Sequence, residues 1–231
     1  MQTFLSIVPL TDFEMKRLQL KCKPLDDLLD GGIEPNSITE IYGVAGSGKT
    51  NFCLQASREC TAMGKKVAYI DTRNVSSERL KQICEDIDCS TTLPNILFFN
   101  PSSFEEQEKM IKDALEMEDI GLIVLDTFNS FYHLMLEKDE KFANRSLNRQ
   151  ITELQIAAME KGVYVIIAGQ VYTAENDDVK PFAGRVIERM LKTIVKLEKI
   201  DRGKRQATII KHSSQPEGKK TIFSITAKGL E

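Results

Sequence analysis

The sequence has no tryptophan, only two histidines and no apolar run near the roughly 20 residues that a membrane-spanning helix needs. Its five cysteines, Cys22, Cys53, Cys60, Cys84 and Cys89, are odd in number and never form a C-x-x-C pair. That argues against a disulfide framework and a zinc site, and leaves reduced thiols. Positive charge is not in excess: 31 basic against 34 acidic residues give a formal net charge of −3. No global field therefore draws the chain to nucleic acid, and any such contact must be local. The opening MQTFLSIVPL has neither a basic leading segment nor a small-residue cleavage site, so no secretory signal is expected and the chain reads as cytoplasmic, with no membrane partner.

What is present is an ordinary globular composition, 42% apolar and 28% charged over 231 residues, enough for one α/β domain with a sizeable core. Ile38 to Tyr42 is strand-like and ends at Gly43; residues 49 to 63 read as a helix closed by Gly64. Val67 to Ile70 is the next strand, ending at Asp71, and Ser76 or Ser77 caps a helix running to Ile87. The pattern continues with a strand at Ile96 to Phe99, a helix opened by Ser102 or Ser103 and a strand at Leu122 to Leu125. A longer helix at about 143 to 161 stops at Gly162, before a strand at Val163 to Ala168. Apolar strands separated by crossover helices imply a mostly parallel sheet covered on both faces. After Pro181 three β-rich runs, Thr193 to Lys199, Gln206 to His212 and Thr221 to Thr226, read as antiparallel strands extending one edge.

Gly43-Val44-Ala45-Gly46-Ser47-Gly48-Lys49-Thr50 satisfies G-x-x-x-x-G-K-[ST] where the mechanism requires it, after a strand and opening a helix. The glycines let backbone amides converge on a β-phosphate at the positive end of a helix. Lys49 then bridges β- and γ-phosphates, Thr50 ligates Mg²⁺, and Asn51 follows on the helix. A second acid is needed for the metal, and the apolar run from Gly121 to Leu125 ends in Asp126. The expected ligands are ATP and Mg²⁺.

These residues resemble the archaeal RecA-type recombinase paralogues called RadB and, more broadly, the core of RadA and the eukaryotic strand-exchange recombinases. The likeness rests on KPLDDLLDGGIEPNSITEIYGVAGSGKT (Lys23 to Thr50), YIDTRNVSSERL (Tyr69 to Leu80), GQVY (Gly169 to Tyr172), PFAG (Pro181 to Gly184) and KHSSQPEG (Lys211 to Gly218), in family order. It implies a RecA-like core at 21–231 behind a lead segment at 1–20, without the helical N-terminal domain of the full-length recombinases. It also implies that Arg79 packs on the adenine and that Gln170 senses the γ-phosphate.

Two departures bear on turnover. The family's D-T-E, whose Glu polarises the attacking water, is Asp71-Thr72-Arg73 here, so a cation stands where the general base is expected. Glu78 substitutes only if the loop folds back, and its place in S-E-R-L suits a helix N-terminus. Related ATPases also carry a K-x-R pair reaching into the neighbouring subunit; here it is Lys211-His212-Ser213, which keeps Lys211 as a trans finger and loses the Arg. His212 and His133 are expected simply to pack. FLSI at Phe4 to Ile7 does not supply the small residue of an F-x-x-A polymerisation tag.

The recombinases hold DNA with two loops, which correspond to about 129–145 and 171–184. The first carries Lys138, Lys141 and Arg145 with Phe131, Tyr132 and Phe142, suited to phosphate contact and base stacking, yet also Glu137, Asp139 and Glu140. The second carries Glu175, Asp177 and Asp178, which repel phosphates. Three readings follow: a nucleotide-gated recombination accessory protein that meets DNA or a RadA-type recombinase, with little hydrolysis and a possible homo-oligomer; a DNA-dependent ATPase acting in strand exchange; and a regulator of the circadian-clock ATPase type with protein partners alone.

Overall fold

Local signals start and stop the helices largely where the sequence predicts. A computed structural model describes residues 16–85, 89–173, 179–181 and 184–231. Phe4 to Ile7, Ile87, the acids Glu175, Asp177 and Asp178, and Phe182-Ala183 lie outside the described residues. Helix α1 (Lys23–Leu28) precedes strand β1 (Ile38–Tyr42), and α2 (Lys49–Ala62) is followed by Gly64 at φ +77°, the left-handed conformation expected at a helix end. Strand β2 (Lys66–Asp71) leads to α3 (Ser77–Ile83), where the Ser76 hydroxyl accepts from the Arg79 amide at 3.3 Å. That helix ends at Ile83 rather than Ile87. A short helix α4 (Cys89–Thr92) and a 3-10 turn precede β3 (Ile96–Phe99), and Ser103 caps α5 (Phe104–Glu116).

Strand β4 (Ile120–Asp126) is followed by α6 (Ser130–Leu136) and α7 (Glu140–Lys161). The expected helix start at about 143 is corrected to Glu140, because the Asp139 carboxylate accepts the Phe142 amide at 2.9 Å and so caps the helix earlier. Strand β5 (Tyr164–Gly169), a hairpin of β6 (Val171–Thr173) with β7 (Val179–Pro181), and α8 (Gly184–Ile187) come next, then β8 (Thr193–Lys199), β9 (Lys204–Lys211), β10 (Lys220–Thr226) and β11 (Gly229–Leu230).

One nine-stranded sheet, in the order β11-β10-β9-β8-β1-β5-β4-β2-β3, organises all but the small hairpin. The strands from β8 to β3 pair in parallel, and β9, β10 and β11 extend the β8 edge antiparallel. The expectation that Thr193–Lys199 is antiparallel is therefore corrected on one side: β8 pairs parallel with β1 and antiparallel with β9. Two apolar layers cover the faces, one beneath α2 with Phe52, Tyr69 and Phe223, the other beneath α5 and α7 with Phe104, Ile151 and Leu154. Leu18 and Leu20 are buried in the first layer. Cys22, Cys53, Cys60 and Cys84 are buried and none of them is in a disulfide among the described residues. No helix among the described residues is long and apolar enough to cross a membrane.

Glu40, in the middle of β1, is 0% exposed, and neither of its carboxylate oxygens has a hydrogen-bond partner among the described residues. Burial, with Glu188 adding repulsion, pushes its pKa up to about 8. The unfolded chain thus releases this proton at lower pH than the folded one, and the contribution to stability falls as pH rises from about 4.5 to about 8. Glu40→Gln is expected to be more stable than the parent at neutral pH and to remove a slope of at most ~1.4 kcal/mol per pH unit. Urea melts of both chains from pH 5 to 8.5 check this; parallel stability curves would refute it.

Candidate functional site

The carboxyl ends of the adjacent parallel strands β1, β5, β4 and β2 deliver Gly43, Gln170, Asp126 and Asp71 to one side of the sheet. Open α/β sheets bind ligands in such crevices. A cavity of about 510 Å³ lies there, and its lining residues include Gly43 to Gly46, Gly48 to Asn51, Arg73, Asp126, Gln170, Arg205 and Ile225. Gly46 (φ +76°) and Gly48 (φ +107°) take left-handed backbone, and Gly48 is the residue preceding α2, where no side chain caps the helix. The first amides of α2 are left to an external acceptor. Lys49 is 9% exposed and donates to the carbonyls of Gly43 (2.6 Å) and Val44 (3.0 Å). Desolvation lowers its pKa, while nearby Asp126 acts in the opposite sense.

Asp126 is fully buried. Its Oδ2 accepts from the Thr50 hydroxyl at 2.7 Å and from the Tyr69 hydroxyl at 2.9 Å, whereas Oδ1 is buried without a partner among the described residues. Burial raises its pKa, and the bonds from Thr50 and Tyr69 oppose that rise. An orphaned carboxylate oxygen beside a hydroxyl is the donor set that a hard cation such as Mg²⁺ takes. Three of the cavity's lining side chains are cationic, Lys49, Arg73 and Arg205, against the one carboxylate of Asp126. That balance suits a polyanion accompanied by a divalent cation.

Gln170 is clasped to Asn129: the Asn129 amide donates to the Gln170 carbonyl at 3.0 Å and the Gln170 N–H donates to Asn129 Oδ1 at 2.9 Å. Its side chain donates to the Ser130 hydroxyl at 3.1 Å and to Thr127 Oγ1 at 3.4 Å. Ser130 opens α6, so the end of β5 is bonded directly to the helix that leads toward Lys138.

Of the residues singled out in the sequence, Gly43 to Asn51, Asp126 and Gln170 come together. Arg79 stands beside them, its Nε donating to Asn51 Oδ1 at 2.7 Å and its other nitrogens to the carbonyls of Thr226 (2.8 Å) and Ala227 (2.9 Å). Glu78 lies exposed in the first turn of α3, outside the cavity's lining residues. Sequence reasoning missed Tyr69, Asn129, Ser130, Arg205 and Ile225. Arg205 donates to the Gly46 carbonyl at 2.9 Å, and Ile225 packs so close that a methyl group on Gly48 would lie 2.9 Å from its Cδ1. Only Tyr69 left a signal, as the one hydroxyl in the buried run Val67 to Ile70.

The sequence profile of the Rad51 family matches residues 13–231. This chain belongs to the Rad51 family. Among its relatives is the DNA repair and recombination protein RadB of Methanococcoides burtonii, 40% identical over 220 residues that make up 93% of this chain and 97% of the relative. The protein of that name from Thermoplasma acidophilum is 36% identical, over 94% of each chain. A crystal structure of the RadB recombinase superposes with a TM-score of 0.80 at 32% identity, covering 92% of this chain and 98% of the other.

Within this Rad51-family fold the remaining candidates lie apart from the cavity. Lys211 is level with Ile194 near the start of β8, where its Nζ donates to the Glu188 carbonyl at 3.0 Å. His212 lies half-buried in the turn just past β9 rather than packed within the strand: its Nδ1 accepts from the amides of Ser214 (3.1 Å) and Gln215 (3.2 Å), and desolvation lowers its pKa. His133 is exposed on α6, so its expected packing is corrected. Lys138, Lys141 and Arg145 are exposed where α6 passes into α7. The neighbouring aromatics do not join them. Tyr132 is 2% exposed with its hydroxyl donating to Asn144 Oδ1 at 2.7 Å, and Phe131 and Phe142 pack against the core. The stretch expected to be a base-stacking loop is two helices whose apolar faces claim these rings.

Proposed function

We propose that this chain is an ATP-binding accessory protein of DNA repair and homologous recombination, in which nucleotide state gates binding to DNA or to a RadA-type recombinase and hydrolysis is weak or absent. The observation that carries this reading is the Asp126 carboxylate, buried with one oxygen bonded to Thr50 and the other without a partner among the described residues, in a cavity lined by the glycine loop and Lys49. RecA-type folds generally bind ATP with Mg²⁺, and the residues present fit that pair. In this reading 21–231 form the nucleotide-binding core, the amides of 43–48 cradle phosphate, and Lys49 exchanges its carbonyl acceptors for phosphate oxygens. Thr50 and Asp126 hold Mg²⁺, Asn51 and Arg79 flank the nucleoside, and Gln170 reports the terminal phosphate to α6. Bound ATP supplies the transferable terminal phosphoryl group and Mg²⁺ the charge that balances it.

Weak turnover rests on what stands at the two positions weighed for a base among the described residues. The guanidinium of Arg73 offers only donors and no acceptor for a proton from water, and Glu78 is turned to solvent on α3. Lys211, remote from its own chain's cavity, acts in this reading only across a boundary between copies. Titration with ATP and Mg²⁺ beside a phosphate-release assay tests the whole: saturable binding with turnover far below that of a strand-exchange recombinase is expected, and turnover equal to one would reject the accessory role.

The DNA arm has its own check. Retention of single-stranded DNA on filters is expected to be modest, and its logarithm should fall with log salt by ~0.7 per phosphate contacted. The triple substitution Lys138→Ala, Lys141→Ala, Arg145→Ala should flatten that slope. Failure to retain DNA in any nucleotide state would instead favour a regulator with protein partners alone.

A further inference from the structure

Arg73 stands on a fixed base. The Asp71 carboxylate accepts from the amides of Arg73 (2.8 Å) and Val75 (2.6 Å), which closes a tight turn after β2. Within that turn, the Thr72 amide donates to the Asp126 carbonyl at 2.9 Å, and the Thr72 hydroxyl donates to the Thr127 carbonyl at 3.2 Å while accepting the Thr127 amide at 2.9 Å. The backbone that carries Arg73 is thus tied to the strand that carries Asp126.

From that base the exposed Arg73 side chain lines the same cavity as Lys49, Asp126 and Gln170. Among the described residues nothing accepts a hydrogen bond from its guanidinium or pairs with its charge. The adjacent carboxylate, Asp71, has one oxygen on each of two amides. Lys49 and Arg73 thus bring two cationic side chains to one cavity. Two like charges facing one volume repel, and an anion seated between them converts that cost into attraction.

We propose that Arg73 is a ligand of the terminal phosphate and makes this site prefer a nucleoside triphosphate to a diphosphate. The inference rests on the nucleotide-binding reading above and deepens it. Lys49 and the loop amides stand on the β1 side of the cavity, whereas Arg73 follows β2 on the other side of Asp126 and shares the lining with Gln170. A guanidinium offers a phosphate two parallel donors and no proton acceptor. In place of a water-activating acid, the chain carries a group that holds the triphosphate and leaves it intact.

Equilibrium titration of the full chain with Mg²⁺ and either a non-hydrolysable ATP analogue or ADP tests this, for the parent, Arg73→Ala and the longer Arg73→Gln. Both substitutions are expected to weaken the analogue roughly tenfold or more, the loss typical of a charge-assisted hydrogen bond, and to leave ADP within about twofold. If the parent binds the analogue and the variants bind it equally well, the Arg73 assignment fails alone. Equal losses for analogue and diphosphate also overturn it, because they mark a general field or a structural role. A parent chain that binds neither nucleotide defeats both this inference and the functional reading.

Discussion

Replacing Lys49 with alanine is expected to weaken triphosphate binding by ~100-fold or more while moving the melting temperature by no more than a few degrees. The two halves of this expectation have one cause. An ammonium group only 9% exposed, held by two carbonyls and no direct carboxylate contact, loses hydration that those carbonyls replace only in part, and its lowered pKa records the deficit. Removing it deletes two hydrogen bonds and the desolvation cost together, so the fold changes little. The cavity loses the buried one of its three cations, the one held by the carbonyls of Gly43 and Val44. Arginine at this position should not rescue binding, because a planar fork does not fit where a compact ammonium bonds two carbonyls six and five residues back. Calorimetric titration and a thermal melt on the same sample decide the matter. Native affinity in Lys49→Ala would remove the basis for a phosphate site here.

The parts of this site that could be read from sequence are those whose geometry is local. Gly43 to Thr50 carry their own turn, the left-handed glycines and the helix start, within eight residues, and Asp126 ends an apolar run that had to be a buried strand. Serine caps set the starts of α3 and α5 by bonds spanning three residues, whereas the expected start of α7 at about 143 overlooks the equally local Asp139 cap. What escaped depends on strand order. The chain returns from α8 to place β8 beside β1, and no pattern within Thr193–Lys199 says which neighbour it takes. That insertion is what carries β9 and β10 over the phosphate loop, so Arg205 reaches the Gly46 carbonyl from 159 residues away and Ile225 covers Gly48. Likewise the reciprocal Asn129–Gln170 clasp joins residues 41 apart that become neighbours only because β4 and β5 pair. The aromatics after Asp126 were misjudged for the converse reason: their spacing suits a helical apolar face as well as a loop, and burial chose the helix.

Gly43→Ala is expected to destabilise the fold by about 2–4 kcal/mol, lowering the melting temperature by roughly 5–12 °C for a chain of this size. A methyl group at Gly43 would lie 2.2 Å from the Leu197 carbonyl and 2.7 Å from the Ser47 hydroxyl. The first neighbour decides the cost, because it is backbone. Leu197 sits within β8, paired with β9 at Ala207, and Gly43 follows Tyr42, which is in register with Lys196 and with Gly169 of β5. Neither strand can retreat without breaking ladder hydrogen bonds in the middle of the sheet. Gly64→Ala provides the contrast. It has φ +77° with nothing within 4 Å of the added methyl, so only left-handed strain of about 1 kcal/mol opposes it. Denaturant and thermal melts should therefore rank Gly43→Ala well below Gly64→Ala although Gly43 is not among the glycines at positive φ. The reverse order would mean that β8 does not press on the first residue of the phosphate loop, and the covering of that loop by Arg205 and Ile225, which ride on the same edge of the sheet, would have to be abandoned with it.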